Sequence, residues 1–241
     1  MKSTLKTLTF LSALALGASA QASVTEADGL GSSWLGTPTF TTMASPTTAT
    51  TAEGNYGSGG SGSHGGLAQT FVNTTAGTLS SVQLSMGGSA GAAFNIFLYD
   101  LGSATGYAPT TSASFDPSTK TDLFSSGLSF TYGGGAGGAQ SVVQLTFAGA
   151  DAVSLLSNEL YAFAIEPSTA TAAQWYRGGS TTFTGGQLYR LGQFTAGYYG
   201  AINGGIRDAA FAATVVVPEP SSIALLGLGA AAFAGRIRRK N

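Results

Sequence analysis

Side chains able to do acid–base, nucleophilic or metal chemistry are sparse in this 241-residue sequence. It contains no cysteine, which removes thiol catalysis, thiolate metal sites and disulfides together. The one histidine, His64, lies in the glycine–serine run 57–66, so a triad, an imidazole base or a zinc site would rest on it alone. A solvated loop residue accounts for it. Paired carboxylates about 5 to 10 Å apart support glycoside hydrolysis, and the nearest couples in sequence are Asp116 with Asp122 and Glu159 with Glu166. Asp116 precedes Pro117 and reads with Asp122 as a turn, while Glu159 reads as the polar flank of a strand. Calcium needs several oxygen ligands close together. No Asp-x-Asp-x-Asp-Gly run is present, which leaves Asp100 or Asp208 with backbone carbonyls. No metal, no cofactor and no catalytic residue is expected.

Aromatic side chains give the one positive hint of binding chemistry. Trp175, Tyr176, Tyr189, Tyr198 and Tyr199 share a glycine-rich stretch with Arg177 and Arg190. Flat rings stack on sugar faces while polar neighbours bond hydroxyls, so Trp175, Tyr176 and Tyr189 form a candidate saccharide platform. The competing placement puts Trp175 and Tyr189 in a core with their polar tips reaching water.

A denser signal closes the chain. Val217-Pro218-Glu219-Pro220-Ser221-Ser222 precedes an uncharged apolar run, 223–235, and then Arg236, Arg238, Arg239 and Lys240. The two prolines fix φ and exclude helix or central strand, so they end a folded domain and keep Glu219 extended. Thirteen residues at about 1.5 Å each reach only about 20 Å of a hydrocarbon core near 30 Å. The run is therefore a marginal anchor, with the four cations held on the cytoplasmic side. This arrangement resembles the PEP-CTERM sorting signal of Gram-negative bacteria. The resemblance implies an exported protein recognised and cut by an exosortase, a membrane protease, in organisms that make exopolysaccharide. Glu219 is the residue expected to be read.

The other end agrees. Lys2 and Lys6 precede an apolar stretch, 8–17, and then the small residues Ala18, Ala20 and Ala22. Residues 1–22 are thus expected to be a secretory signal peptide removed by signal peptidase. The precursor would be anchored in the inner membrane, and the mature chain would reside in the envelope or outside the cell.

The elements that must position these groups are strands. Alternation places Val82, Leu84 and Met86 on one face, and likewise Phe94, Ile96 and Leu98; Tyr161, Phe163 and Ile165; and Phe211, Ala213, Val215 and Val217. Residues 128–132 and 143–147 are expected to pair as a hairpin across the glycine run 133–138. Residues 174–177 and 187–191 are shorter candidates. Neither glycine run is followed by Lys-Ser/Thr, so neither is a phosphate cradle. Many short strands joined by Gly, Ser, Thr and Pro predict an all-β, antiparallel β-sandwich of jelly-roll type over 67–217. A low-complexity N-terminal arm, 23–66, precedes it, and the sorting signal, 218–241, follows. Residues 79–99 with 160–175 resemble the β-sandwich modules found upstream of such signals.

Between the two targeting segments ten acids face four bases, a net charge near −6, which disfavours nucleic acid as a partner. The expected function is a non-enzymatic envelope or extracellular-matrix protein associated with exopolysaccharide or biofilm. The alternatives are a carbohydrate-binding module and a secreted glycan-active enzyme.

Overall fold

The computed structural model describes residues 23–27, 33–46, 49, 51–53, 65–110, 112–124, 127–134, 139–168, 173–178, 183–192, 197–202 and 206–217. Its first strands are β1 (Ser23–Ala27), β2 (Phe40–Thr41), β3 (Thr51–Glu53), β4 (Leu67–Asn73), β5 (Gly77–Gly87), β6 (Ala92–Ser103) and β7 (Ser114–Phe115). They are followed by β8 (Ser129–Tyr132), β9 (Ser141–Thr146), β10 (Ser154–Leu155) and β11 (Glu159–Pro167). The last are β12 (Gln174–Arg177), β13 (Leu188–Leu191), β14 (Tyr199–Ala201) and β15 (Phe211–Val216). No α-helix occurs among the described residues. The all-β, antiparallel expectation holds.

Two sheets result. The first runs β1-β9-β5-β12-β3, with β10 and β15 also on β5 and β2 on β15. The second runs β7-β14-β13-β4-β11-β6-β8 and curls like half a barrel. Its curl is visible beyond β7, where the chain returns to β6: Tyr99 bridges Asp122, and the Leu123 N–H donates to the Leu98 carbonyl at 2.8 Å.

The alternating residues do what their period requires. Val82, Leu84, Met86, Phe94, Ile96, Leu98, Val143, Leu145, Tyr161, Phe163, Ile165 and Phe211 join one buried cluster fed by both sheets. Burying each such side chain contributes about 1.5–3 kcal/mol. The expected hairpin across 133–138 does not form. Strand β8 pairs with β6 in the second sheet, while β9 pairs with β5 in the first. Alternation fixes which face of a strand is buried but not which strand lies beside it, so β8 and β9, consecutive in the chain, lie in different sheets.

The N-terminal arm supplies β1, β2 and β3 to the first sheet, and its Trp34, Leu35, Met43 and Ala49 cover the outer face of that sheet. Trp34 and Ala49 pack with Val142, Ala210 and Ala212, with Leu35, Met43 and Tyr176 beside them. Polar side chains fix that cover. Gln83 accepts from the Leu35 N–H and donates to the Leu35 carbonyl, both at 2.7 Å, and Trp34 Nε1 donates to the Met43 carbonyl at 2.9 Å. Gln140 Nε2 donates to Ser85 Oγ at 2.6 Å and to the carbonyls of Pro46 and Ala49. Thr, Ala and Ser suit this role, being small enough to lie flat over a sheet.

Candidate functional site

The sorting sequence begins where β15 ends. Strand β15 pairs with β5 on one side and β2 on the other. Two threonine hydroxyls then lock its register. Thr42 Oγ1 accepts from the Phe211 N–H at 3.0 Å. Thr39 Oγ1 accepts from the Val215 N–H at 2.8 Å and donates to the Val215 carbonyl at 3.2 Å. The ladder reaches Val216 opposite Thr78, and Val216 and Val217 then emerge 53% and 50% exposed. Pro218 has no N–H with which to continue the ladder. Pro218, Glu219, Pro220 and Ser221, the apolar run, and Arg236, Arg238, Arg239 and Lys240 lie outside the described residues, as do residues 1–22 and His64.

The three rings of the candidate saccharide platform share no surface. Trp175 is fully buried, its Nε1 donating to the Ala210 carbonyl at 3.0 Å and its ring beside Phe163 and Phe211. Its polar tip meets backbone rather than water. Tyr176, the next residue on β12, points to the opposite face and is half-buried against the Trp34 cover. Period two forbids neighbours on a strand from lining one face. Tyr189 sits in the other sheet, also buried.

A different cluster forms on the outer face of the second sheet. Ala68, Ala162 and Ala164 make a floor of small residues, over which Tyr99, Phe115, Tyr189 and Tyr199 lie. Phe115 stacks on Tyr199 with centroids 4.9 Å apart and meets Tyr189 edge-on at 5.4 Å. The Tyr199 hydroxyl donates to Glu166 Oε1 at 2.6 Å. Burial raises the Glu166 carboxyl, and this bond pulls the other way. Burial also raises the Tyr99 phenol, reinforced by the charges of Glu166 and Asp122. Gly66 makes room for the clasp. A Cβ there would stand 2.7 Å from Glu166 Cγ and 2.8 Å from the Tyr199 hydroxyl. Sequence reading missed this pair because residues 166 and 199 meet only through strand order; the alternating Ala162 and Ala164 were its one local signal.

The candidate carboxylates are held in structural roles. Glu159 and Glu166 lie seven residues apart on β11, so they face opposite ways at about 24 Å and cannot flank one bond. Asp116 accepts from the Ser118 N–H at 2.9 Å and its hydroxyl at 2.7 Å, which holds its carboxyl below the usual range. Asp122 accepts from the N–H groups of Leu98 and Phe124, while burial raises its carboxyl. Asp100 accepts from the Gly102 N–H at 2.8 Å.

Asp208 is buried, and Gln69 Nε2 donates to its Oδ1 at 3.2 Å while Gln69 Oε1 accepts from the Ala209 N–H. Its Oδ2 has no hydrogen-bond partner among the described residues, and burial pushes the carboxyl up to about 7. No group of three or more His, Asp or Glu able to hold a metal occurs among the described residues.

No curated protein and no solved structure matches the chain significantly. The family model described as the PEP-CTERM protein-sorting motif matches residues 216–240, from the last residue of β15 onward, and that match supports an exported protein sorted through an exosortase.

Proposed function

We propose that this chain is a non-enzymatic envelope or extracellular-matrix protein. It is exported behind a cleaved leader, held in the inner membrane by residues 223–235, and processed by an exosortase that reads Glu219. The sorting match, which begins as the last strand ends, carries this reading. The non-enzymatic part is supported by the carboxylates just described, which serve turns, backbone amides and a phenol. The role is passive: a folded domain delivered to the surface, with an exopolysaccharide or biofilm matrix as its setting.

The test uses Glu219→Ala in a host that has the protease. Synthesis, export and folding are expected to be unchanged, while a longer membrane-bound form accumulates. Equal removal of the C-terminal segment from the variant, read by mass spectrometry, would reject Glu219 as the recognised residue. Retention of that segment on the wild-type chain would reject processing altogether.

One observation favours a second reading as a glycan-binding module. Tyr198 is 38% exposed, and its hydroxyl bonds the Asp116 carboxylate. An exposed ring beside a carboxylate is the pairing that sugar stacking uses. Affinity electrophoresis across a polysaccharide panel, with Tyr198→Ala as control, separates the two readings.

A further inference from the structure

Four large apolar side chains stand out as exposed among the described residues, and three of them, Leu156, Val216 and Val217, gather at one end of the molecule. Thr78 on β5 pairs with Val216 on one side and Ser154 on the other, and Gly77 faces Leu155. Leu156 and Val217 therefore flank the start of β5, two strand spacings or about 10 Å apart. Gly77 lets β15 finish close against β5, because a Cβ there would stand 2.7 Å from the Val216 carbonyl oxygen.

Leu156 is presented by a fixed turn. Its N–H donates to the Tyr161 hydroxyl at 2.9 Å, and its carbonyl accepts from Asn73 Nδ2 at 2.8 Å. Asn158 takes the left-handed conformation at φ 59°, and its N–H donates to the Asn73 carbonyl at 2.7 Å. The exposed neighbours Thr74, Thr75, Ala76, Ser157 and Asn158 carry no charge.

The chain leaves the domain at this same end. Five residues, 218–222, separate Val217 from the apolar run at 223, and at full extension they span about 17 Å. Once that run enters a bilayer, the patch is tethered at the membrane surface, where a weak contact suffices because the second binding event is intramolecular. Three side chains offer far less than the roughly 800 Å² per partner of a stable protein interface. The rim, whose one charge is the half-buried Glu159, gives lipid phosphates no cation to bind, so the contact is apolar.

We propose that the membrane-anchored precursor docks this end of the domain on the bilayer surface through Leu156, Val216 and Val217, which holds the strands upright above the membrane. This rests on the anchoring reading given above.

Because the chain has no cysteine, a single introduced one is a unique probe site. Ser157→Cys reports the patch. Ser89→Cys reports the far end, beyond the eleven residues of β5, about 34 Å away. Each full-length chain, labelled with an environment-sensitive fluorophore, is reconstituted in phosphatidylcholine–phosphatidylglycerol vesicles carrying a nitroxide-labelled lipid. Quenching at 157 is expected to exceed that at 89 at least two-fold, and Leu156→Asp is expected to erase the excess while the chain still floats with the vesicles. Flotation with equal quenching at 157 and 89 overturns the docking and leaves the anchor intact. Failure of the chain to float overturns the anchor and the docking together. Excess quenching that appears only when an exosortase is co-reconstituted makes a protein the occupant and overturns the lipid contact.

Discussion

Along β11, Tyr161, Phe163 and Ile165 enter the core between the sheets, while Ala162, Ala164 and Glu166 look the other way. The two faces of the second sheet are filled by opposite means. On the inner face each strand supplies its own large side chains. Facing it across the core from β12 of the first sheet, the Trp175 indole N–H is satisfied by a backbone carbonyl, and no side-chain charge is needed. On the outer face β4 and β11 supply alanine, and rings from β6, β7, β13 and β14 lie over and beside them. Those rings bring hydroxyls, so the outer layer needs Glu166 for Tyr199, and Tyr107 and Gln187 for Tyr189. The inner face is mainly apolar, with the Tyr161 hydroxyl on a backbone N–H and Gln69 on Asp208 as its polar contacts; the outer face depends more widely on polar tips being matched, and so on pH.

The largest expected effect tests the core that the inner face borders. Trp175→Ala should cost about 3–5 kcal/mol, as truncation of a fully buried Trp does, measured by chemical denaturation of residues 23–217. The loss should be the same at pH 5 and pH 8. A loss under about 1 kcal/mol would mean that Trp175 is not part of the core, and would reopen its role as a sugar-stacking ring.

The boundary between the sheets responds to pH through Asp208. Its folded carboxyl sits near 7, against 3.8 as the ordinary value, so the folded state holds a proton that the unfolded state releases. Its stabilising share is complete below about pH 4 and is lost as the pH rises through 7. Asp208→Asn should flatten that part of the stability profile and match or exceed the wild-type melting temperature at pH 8. An unchanged slope between pH 4 and 7 would assign the dependence to Glu166 and Asp122, whose carboxyls burial also raises.

How much of this could be read from sequence follows from the same contrast. Alternation located the strands of the inner core, since Leu84, Phe163 and Phe211 each sit where period two puts them. It also exposed the sorting signal, because prolines, an apolar run and cations are local features. Pairing was not legible. The 128–132 and 143–147 strands look like a hairpin, yet they belong to different sheets, because a glycine run of that length serves either connection. The outer cluster was hidden for a related reason. Phe115, Glu166 and Tyr199 come from three distant segments, and the alanines beneath them look featureless in sequence. Reading Trp175, Tyr176 and Tyr189 as one platform failed because proximity in sequence was taken for a shared face.

Gly66→Ala tests whether the outer cluster is as tightly built as the inner one. The added Cβ would meet Glu166 Cγ, the Tyr199 hydroxyl and, at 3.1 Å, the Ile165 carbonyl oxygen. Two of those can yield by breaking the clasp, and the backbone oxygen cannot. A cost of about 1–3 kcal/mol is expected, in the range of overpacked cores. Combining it with Tyr199→Phe should cost less than the sum of the two single changes, because both break the same bond. Strict additivity would show that Gly66 matters for its backbone alone.

Tyr199→Phe carries the smallest expected effect and the sharpest reading of the comparison. The ring and its stacking on Phe115 remain, so the packing that would dominate on the inner face is untouched. Only the hydroxyl that donates to Glu166 is lost. Glu166 titrates above its ordinary value because it is buried, so its stabilising share is present below about pH 4.5 and falls as the pH rises through the folded value. Tyr199 softens that fall by bonding the charged form. Without the hydroxyl, the carboxylate above its folded value keeps its burial and loses its donor, whereas the protonated acid at low pH has little to lose. The variant should therefore match wild type near pH 4 and lose about 1 kcal/mol at pH 8. An equal loss at both pH values would mean that the hydroxyl serves some group other than the carboxylate. No loss at either would mean that packing alone holds the Tyr199 ring in the outer layer, and the contrast between the two faces would be one of composition only.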